Sequence, residues 1–420
     1  MAKRSYLKLN YKPDYQNEII ATFYGESKIS LKELAEKIAA ESSIGTWTKI
    51  NTLSDKVFEK IAARIFYVDS KSGIFKIAYP LILFEKSNIP QLLSSIAGNI
   101  FSMKVVKNLR LQDLEFPQKY INSFSGPKWG IEGIRKILNI YHRPIIGCIM
   151  KPKIGLTAEQ NAKLAAKIFS NGVDLIKDDE NLTDLSFNRF VDRVKKVLTL
   201  KKEVEKKLGQ KKIYVFNVTA PVKTMLTRAE FVKKMGGKCV MVDIITAGWA
   251  GVQALREQDL GLIIHGHRAG HSAFTRNKKH GISMLVLANL ARLAGIDELH
   301  TGTVVGKMEG EEMEVLKINE LLKEDWQGFN RLRENWHNLK PVLPIASGGL
   351  HPGLTQKLVE ILGEDIIINF GGGLHGHPKG SESGAKAVFQ SVEATLKGIP
   401  LKTYAQNHLE LKQALEYWNK

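Results

Sequence analysis

From Pro144 onward the chain repeats one rhythm. A short apolar run stops at polar, charged or glycine residues, and a longer stretch with apolar side chains at helical spacing follows. The runs are 145–150, 173–176, 213–216, 240–245, 262–264, 298–301, 342–346 and 366–370. Each reads as a strand leading into a helix. Eight such units predict an α/β fold of the closed (β/α)8, or TIM, barrel type rather than an open doubly wound sheet. No Gly-x-Gly-x-x-Gly turn follows the first run, as a doubly wound sheet would more often show.

Upstream the texture differs. Strand-like stretches at 18–24 and 64–68 mix with helical ones at 31–38 and 89–96. This predicts a smaller α+β domain over 1–125, followed by a barrel domain with C-terminal helices over 126–420. No solenoid-type repeat and no low-complexity segment interrupts either part.

Composition narrows the class. The 420 residues are 44% hydrophobic and 25% charged, which excludes disorder as the dominant state. No apolar run reaches the ~20 residues of a membrane span. No apolar stretch backs the charges of the first residues, so no signal peptide is expected, and the expected location is the cytoplasm. Cys148 and Cys239 fall inside strand-like runs and are expected to be buried free thiols, not parts of a zinc finger or disulfide scaffold. The net charge of +18 raises nucleic acid as a partner. The cations are spread along the chain, however. The densest stretch, 195–212, is interleaved with Glu203, Glu205 and apolar residues, as on a solvated helix. No nucleic-acid-binding motif accompanies the charge, so an anionic small substrate drawn by a positive field is the better reading.

In a barrel of this type the active site forms at the C-terminal ends of the strands. Nearly every predicted strand ends in a chemically capable group. Lys177-Asp178-Asp179-Glu180 offers hard oxygen ligands suited to Mg²⁺, and strand alternation sends Lys177 and Asp179 to one side. Lys151 and Lys153 flank a proline on one face of an extended segment and suit phosphate binding or acid–base work. His267 can move a proton near neutral pH, and Arg268 can clamp a phosphate. His300 opens a loop with Gly302, Gly306 and Lys307, the pattern of a lid that carries a cation to the substrate. Ser347-Gly348-Gly349 and Gly371-Gly372-Gly373 let backbone N–H groups approach a phosphate. Lysines on one wall and glycine loops on the other suggest a substrate phosphorylated at both ends. That reading fits an aldolase, an enolase-type isomerase or a carboxylase.

The motifs together resemble one family. Gly-x-Ile-x-Lys-Pro-Lys at 147–153, Lys-Asp-Asp-Glu-Asn at 177–181, His-Arg-Ala-x-His at 267–271, Gly-Thr-Val-Val-Gly-Lys-x-Glu-Gly at 302–310, Ser-Gly-Gly at 347–349 and Phe-Gly-Gly-Gly at 370–373 are similar to the large subunit of ribulose-bisphosphate carboxylase/oxygenase (RuBisCO). So are 40–48, 79–85 and Gly98-Asn99, in the manner of that family's smaller domain. The phrases at 43–47, 130–135, 280–284 and 351–354 resemble its archaeal-type, form III branch.

The resemblance implies a carbon–carbon lyase that carboxylates, and also oxygenates, ribulose 1,5-bisphosphate to give 3-phosphoglycerate, in AMP-linked nucleotide salvage. It implies Mg²⁺ held by Asp179, Glu180 and Lys177, the last carbamylated by an activating CO₂. Lys151, His267 and Lys307 would be catalytic. Lys153, Arg268, His300, Ser347, Gly348, Gly349, Asn369, Phe370, Gly371 and Gly372 would bind substrate. Glu41, Thr46, Trp47 and Asn99 would complete a neighbouring subunit's site. The active unit would be a homodimer or an assembly of dimers, with no small subunit, nucleic acid or membrane as partner. Three positions depart from the commonest pattern: Ile149 for threonine, Gly270 for methionine and Asn369 for glutamine. Retention of Lys151, Lys177, His267, His300 and Lys307 favours a carboxylase over a RuBisCO-like enolase or isomerase, and over a non-enzymatic basic binding protein.

Overall fold

Two compact units account for the chain. The computed structural model describes residues 4–46, 48, 50–305, 312–323, 336 and 338–418. The first unit comprises Met1–Gly126, Gly270–Ala294 and Glu324–Leu339. Its sheet has five strands in the order β10-β4-β1-β3-β2, with β1 Glu18–Ser27, β2 Arg64–Asp69, β3 Ile74–Pro80, β4 Val106–Glu115 and the short β10 Gly281–Ile282. The first four run antiparallel, and β10 joins β4 in parallel. Along β1, Ile19, Ile20, Ala21 and Phe23 are buried, and Phe23 stacks on its cross-strand partner Phe75 at 5.4 Å. Ser30 and Glu33 form a reciprocal capping box that starts helix Leu31–Glu41, whose Leu34, Ala35, Ile38 and Ala39 are buried. The stretches expected at 18–24, 64–68, 31–38 and 89–96 are all present, and β3 and β4 are additions to that reading.

The second unit comprises Pro127–Ala269, Gly295–Lys323 and Lys340–Lys420. It contains a closed barrel of eight strands, all paired in parallel. They are β5 Ile145–Ile149, β6 Leu175–Lys177, β7 Ile213–Asn217, β8 Cys239–Asp243, β9 Ile263–His267, β11 Glu298–Gly302, β12 Leu343–Ser347 and β13 Ile367–Phe370. Each coincides with one of the eight apolar runs. Several continue one to three residues past the run, so that Lys177, Asn217, His267 and Ser347 are the last residues of their strands. Cys148 and Cys239 are buried and unbridged.

The barrel interior is graded along its axis. At the start of the strands Ile145, Leu175, Ile213, Ile263, Leu343 and Ile367 meet Ile131, Ile134 and Leu138 of helix Gly130–Leu138 in one apolar cluster. The i, i+3, i+7 spacing of those helix residues makes the stripe that seats it there. Helix Phe190–Leu208 occupies the stretch expected to be solvated, with two corrections. Lys201 is buried in an ion pair with Glu205 at 2.8 Å, and Lys212, beyond the helix, is buried 3.7 Å from Asp174. Their sequence neighbours are charged, but the barrel strand beginning at Ile213 draws Lys212 inward.

Buried carboxylates tie the connections to the barrel. Asp297 accepts from the backbone of Trp129 at 2.6 Å and of Ile264 at 2.9 Å, and it pairs with Arg256. Arg256 also donates to the Gly295 carbonyl at 2.8 Å. Removing one member of a buried pair strands the other's charge. Arg256→Ala is therefore expected to destabilise the protein by about 3–5 kcal/mol, read as a lowered denaturant midpoint. A midpoint equal to that of the wild type would contradict this role.

Candidate active site

The carboxylate cluster is built by the end of β6. Alternation points Lys177 into the barrel and Asp178 away from it. Asp178 is locked in place: it accepts from Arg193 at 3.1 Å, from the Tyr214 hydroxyl at 2.7 Å and from the Asn217 backbone at 3.0 Å. Asn217 in turn donates its side-chain amide to the carbonyls of Asp179 and Glu180, at 3.4 and 3.0 Å. The backbone that carries the predicted ligands is thus held on its outer side through Asp178 and again through the Asn217 amide.

Inside, Lys177 is fully buried, its Nζ 3.9 Å from Glu180 Oε2. Burial pushes its pKa down, against the pull of Glu180, Asp179 and Asp243. Lys151 reaches Asp179 Oδ2 at 2.7 Å, and Lys153 lies 3.7 Å from Glu180. Burial works against the Asp179 charge, but the Lys151 ammonium and the Asn181 backbone N–H outweigh it and hold the carboxyl below its ordinary range.

Among the described residues no three His, Cys, Asp or Glu side chains converge as a metal site. The donor set nonetheless fits Mg²⁺ once the lysine is counted. Glu180 Oε2 is buried with no hydrogen-bond partner. Asp179 supplies a second carboxylate, and a carbamate on Lys177 would supply a third anionic oxygen donor where an ammonium offers none.

The histidines lie beside this cluster. His267 Nδ1 is 2.6 Å from Asp243 Oδ1, which leaves Nε2 3.7 Å from Glu180 Oε2. Its ring packs edge-on against His300 at 4.8 Å. His300 Nδ1 meets Ser347 Oγ at 2.8 Å, and His300 Nε2 meets His265 Nε2 at 2.9 Å. The Ser347 strand end continues into Gly348 and Gly349 at φ +116° and +69°, a conformation closed to most side chains. Gly302, at φ +99°, makes room for Arg268: a Cβ there would stand 2.8 Å from its guanidinium. Burial lowers the Arg268 pKa to about 10, with Glu314 pulling the other way. Gly371 abuts the Lys151 side chain, and Gly372 opens the short helix Gly372–His375. Asn369 and Phe370 end β13, and Asn369 Oδ1 is buried without a hydrogen-bond partner.

The second unit therefore gathers the predicted lysines, carboxylates, histidines and glycine loops at the C-terminal ends of the barrel strands. Three predicted residues belong to the first unit. Glu41 ends helix Leu31–Glu41, Thr46 follows in a loop, and Asn99 opens the short turn Asn99–Ser102. Trp47 and Lys307 lie outside the described residues. Sequence reasoning assigned no role to Asp243, His265, Glu298, Asn217 or Arg193. Asn217 and His265 directly follow apolar runs and Asp243 lies within one, but the partners that give all five their meaning lie on other strands and helices.

Known proteins resemble this chain in both sequence and fold. The family model described as the ribulose bisphosphate carboxylase large chain catalytic domain matches residues 130–418, and the model of that chain's N-terminal domain matches residues 5–120. The ribulose bisphosphate carboxylase of Methanosarcina mazei is 47% identical, covering 100% of both chains. That of Methanocaldococcus jannaschii is 46% identical over 98% of this chain and 99% of its own. Among solved structures, the octameric ribulose-1,5-bisphosphate carboxylase/oxygenase of Pyrococcus horikoshii, in complex with sulfate ion, superposes with a TM-score of 0.92 at 44% identity, over 99% of this chain and 96% of that one. A dimeric archaeal Rubisco from Hyperthermus butylicus also gives 0.92, at 45% identity over 98% of each chain. With both domains matched and relatives up to 47% identical along nearly the whole length, this chain belongs to the ribulose bisphosphate carboxylase large-chain family.

Proposed function

We propose that this chain carboxylates, and oxygenates, ribulose 1,5-bisphosphate to give 3-phosphoglycerate. The observation that carries the reading is the convergence of Lys177, Asp179 and Glu180 with Lys151 on one side and His267 on the other. Lys177 as a carbamate, with Asp179 and Glu180, would hold Mg²⁺, which when bound polarises the substrate carbonyl and stabilises the negative charge that develops on its oxygens. The remaining work falls to the chain's own groups. The Asp243 carboxylate accepts from His267 Nδ1–H, so the Nε2 lone pair faces the cavity and takes a proton from substrate. Lys151, held by Asp179, carries a proton at Nζ and delivers it to the product carbanion. Lys153, Arg268, His300, Ser347, Asn369 and Phe370, with the glycine loops at Gly348-Gly349 and Gly371-Gly372, bind the substrate, chiefly its two phosphates. Lys307 adds positive charge where the new carboxylate forms.

We place Glu41, Thr46, Trp47 and Asn99 in a partner subunit's site, within a homodimer or an assembly of dimers without a small subunit. The solved relatives named above are octameric and dimeric. Resemblance to the archaeal-type branch supports a cytoplasmic role in AMP-linked nucleotide salvage. No helix among the described residues is long and apolar enough to cross a membrane.

The deciding experiment is fixation of labelled CO₂ into acid-stable product, without oxygen, with ribulose bisphosphate and Mg²⁺, after preincubation with or without bicarbonate. Product that rises after preincubation is expected. Exchange of the substrate's C3 proton with no fixed carbon would instead make the chain a RuBisCO-like enolase. Lys307→Ala is expected to lower carboxylation by at least about 10²-fold while bisphosphate binding persists. Asp243→Asn frees His267 to adopt the wrong tautomer, so kcat should fall by at least about 10²-fold with KM little changed. A wild-type kcat in that variant would remove His267 from proton transfer.

A further inference from the structure

Four side chains form a continuous hydrogen-bonded line through the barrel, apart from the carboxylate cluster. Glu298 Oε1 lies 2.8 Å from His265 Nδ1. His265 Nε2 lies 2.9 Å from His300 Nε2, and His300 Nδ1 lies 2.8 Å from Ser347 Oγ. Glu298, His265 and His300 are buried, and Ser347, half-buried at the strand end, is where the line meets the cavity.

Each link holds one proton, so with both histidines neutral the line has two orientations. If Glu298 is a carboxylate, His265 donates to it from Nδ1, His300 donates to His265 from Nε2, and Ser347 must donate to His300. The hydroxyl then shows only lone pairs to the cavity. If Glu298 carries a proton, every link reverses: Glu298 donates to His265, His265 to His300 and His300 to Ser347. The Ser347 proton is then free to point outward. The two states differ by the one proton on Glu298, so the first line is anionic and the second neutral.

The surroundings favour the neutral line. Glu298 Oε2 is buried with no hydrogen-bond partner, an expensive position for a full charge. The other groups facing this carboxyl are the Cys239 thiol, 3.5 Å from Oε1, and Asp297 next to it on the chain. Burial raises the Glu298 pKa to about 8, with the Cys239 contact opposing and Asp297 adding to the rise. Burial also lowers both histidines well below their ordinary range. His267 reinforces this at His265, and His267, His265 and Arg268 do so at His300, so neither ring is an imidazolium.

We propose that Glu298 is a positioning residue: acting through His265 and His300, it sets the Ser347 hydroxyl as a hydrogen-bond donor toward a phosphate of the substrate. This rests on the reading that the strand-end cavity takes a sugar bisphosphate. The backbone of Gly348 and Gly349 adjoins that hydroxyl. The line carries no group to the reacting carbons. It decides whether one wall of the phosphate site attracts or repels an anion.

The test uses the intact assembly and inorganic sulfate, whose charge is constant, titrated calorimetrically from about pH 6.5 to about 9.5. Wild-type affinity is expected to fall about 10-fold as the line reverses, the scale of one hydrogen bond to a charged group. In Glu298→Gln the side-chain amide donates permanently to His265, so affinity should stay at its low-pH value across the range. The KM for ribulose bisphosphate should follow the same pattern. Infrared difference spectra of the wild type should show a protonated-carboxyl band that titrates away over the range, a readout that survives if the variant fails to fold. Wild-type sulfate affinity that does not change with pH, absence of that band, or an unaltered profile in Glu298→Gln would each overturn the proposal. Carbon fixation with a flat sulfate profile would leave the carboxylase standing and the relay refuted. A pH-dependent profile lost in Glu298→Gln, without carbon fixation, would do the reverse.

Discussion

A lysine side chain fully buried in a closed barrel is the constraint around which this molecule is arranged. Water cannot reach Lys177, so its charge or its nucleophilicity must be managed by protein groups alone. Asp179, Glu180 and Asp243 act on it electrostatically, and Asp179 and Glu180 are in turn engaged by Lys151 and Lys153. A cluster of alternating charges like this is stable only if its backbone cannot relax. Asp178 meets that need by facing outward into Arg193, Tyr214 and the Asn217 backbone. The four-residue stretch Lys177 to Glu180 thus divides its labour by strand alternation. Three side chains serve the cavity, and the fourth fastens the segment to the wall.

Much of this was legible from the chain because parallel barrel strands have little freedom of composition. Buried on both faces, they must be short and apolar, and they must end where the chain leaves the core. That forces the chemical groups to appear at run ends, where Lys177, His267 and Ser347 are found as last strand residues. What was not legible is what closure brings together. His265 directly follows one apolar run and Glu298 opens the next, and they meet only because β9 pairs with β11 in register, with Glu298 opposite His265. Asp243 finds His267 by the same kind of pairing between β8 and β9. Lys212 misled in the other direction. A cationic neighbourhood suggested solvent, but the strand that starts one residue later buries it beside Asp174. In the first unit, β4 interleaves charged with apolar residues and offers no continuous run, so its role in the sheet follows from pairing with β1 rather than from its own pattern.

The two halves of the barrel interior have opposite characters, and the family membership gives that contrast a purpose. Near the strand starts apolar side chains supply the cohesion, with the buried Glu298 carboxyl of β11 as an exception among them. Toward the strand ends nearly every inward position is ionisable or a hydrogen-bonding group, each satisfied by a neighbour or left with a spare lone pair. Stability and chemistry are thus separated along one axis, and substitutions at the polar end can retune the reaction without removing the packing that holds the strands together.

Helix Gly130–Leu138 adds a consequence for traffic. With Ile131, Ile134 and Leu138 seated across the strand starts, the barrel is a cup rather than a tube. Whatever enters from the strand-end rim leaves over the same rim, so arrivals and departures are successive and never simultaneous. A molecule still seated at the strand ends therefore excludes the next one from the same place.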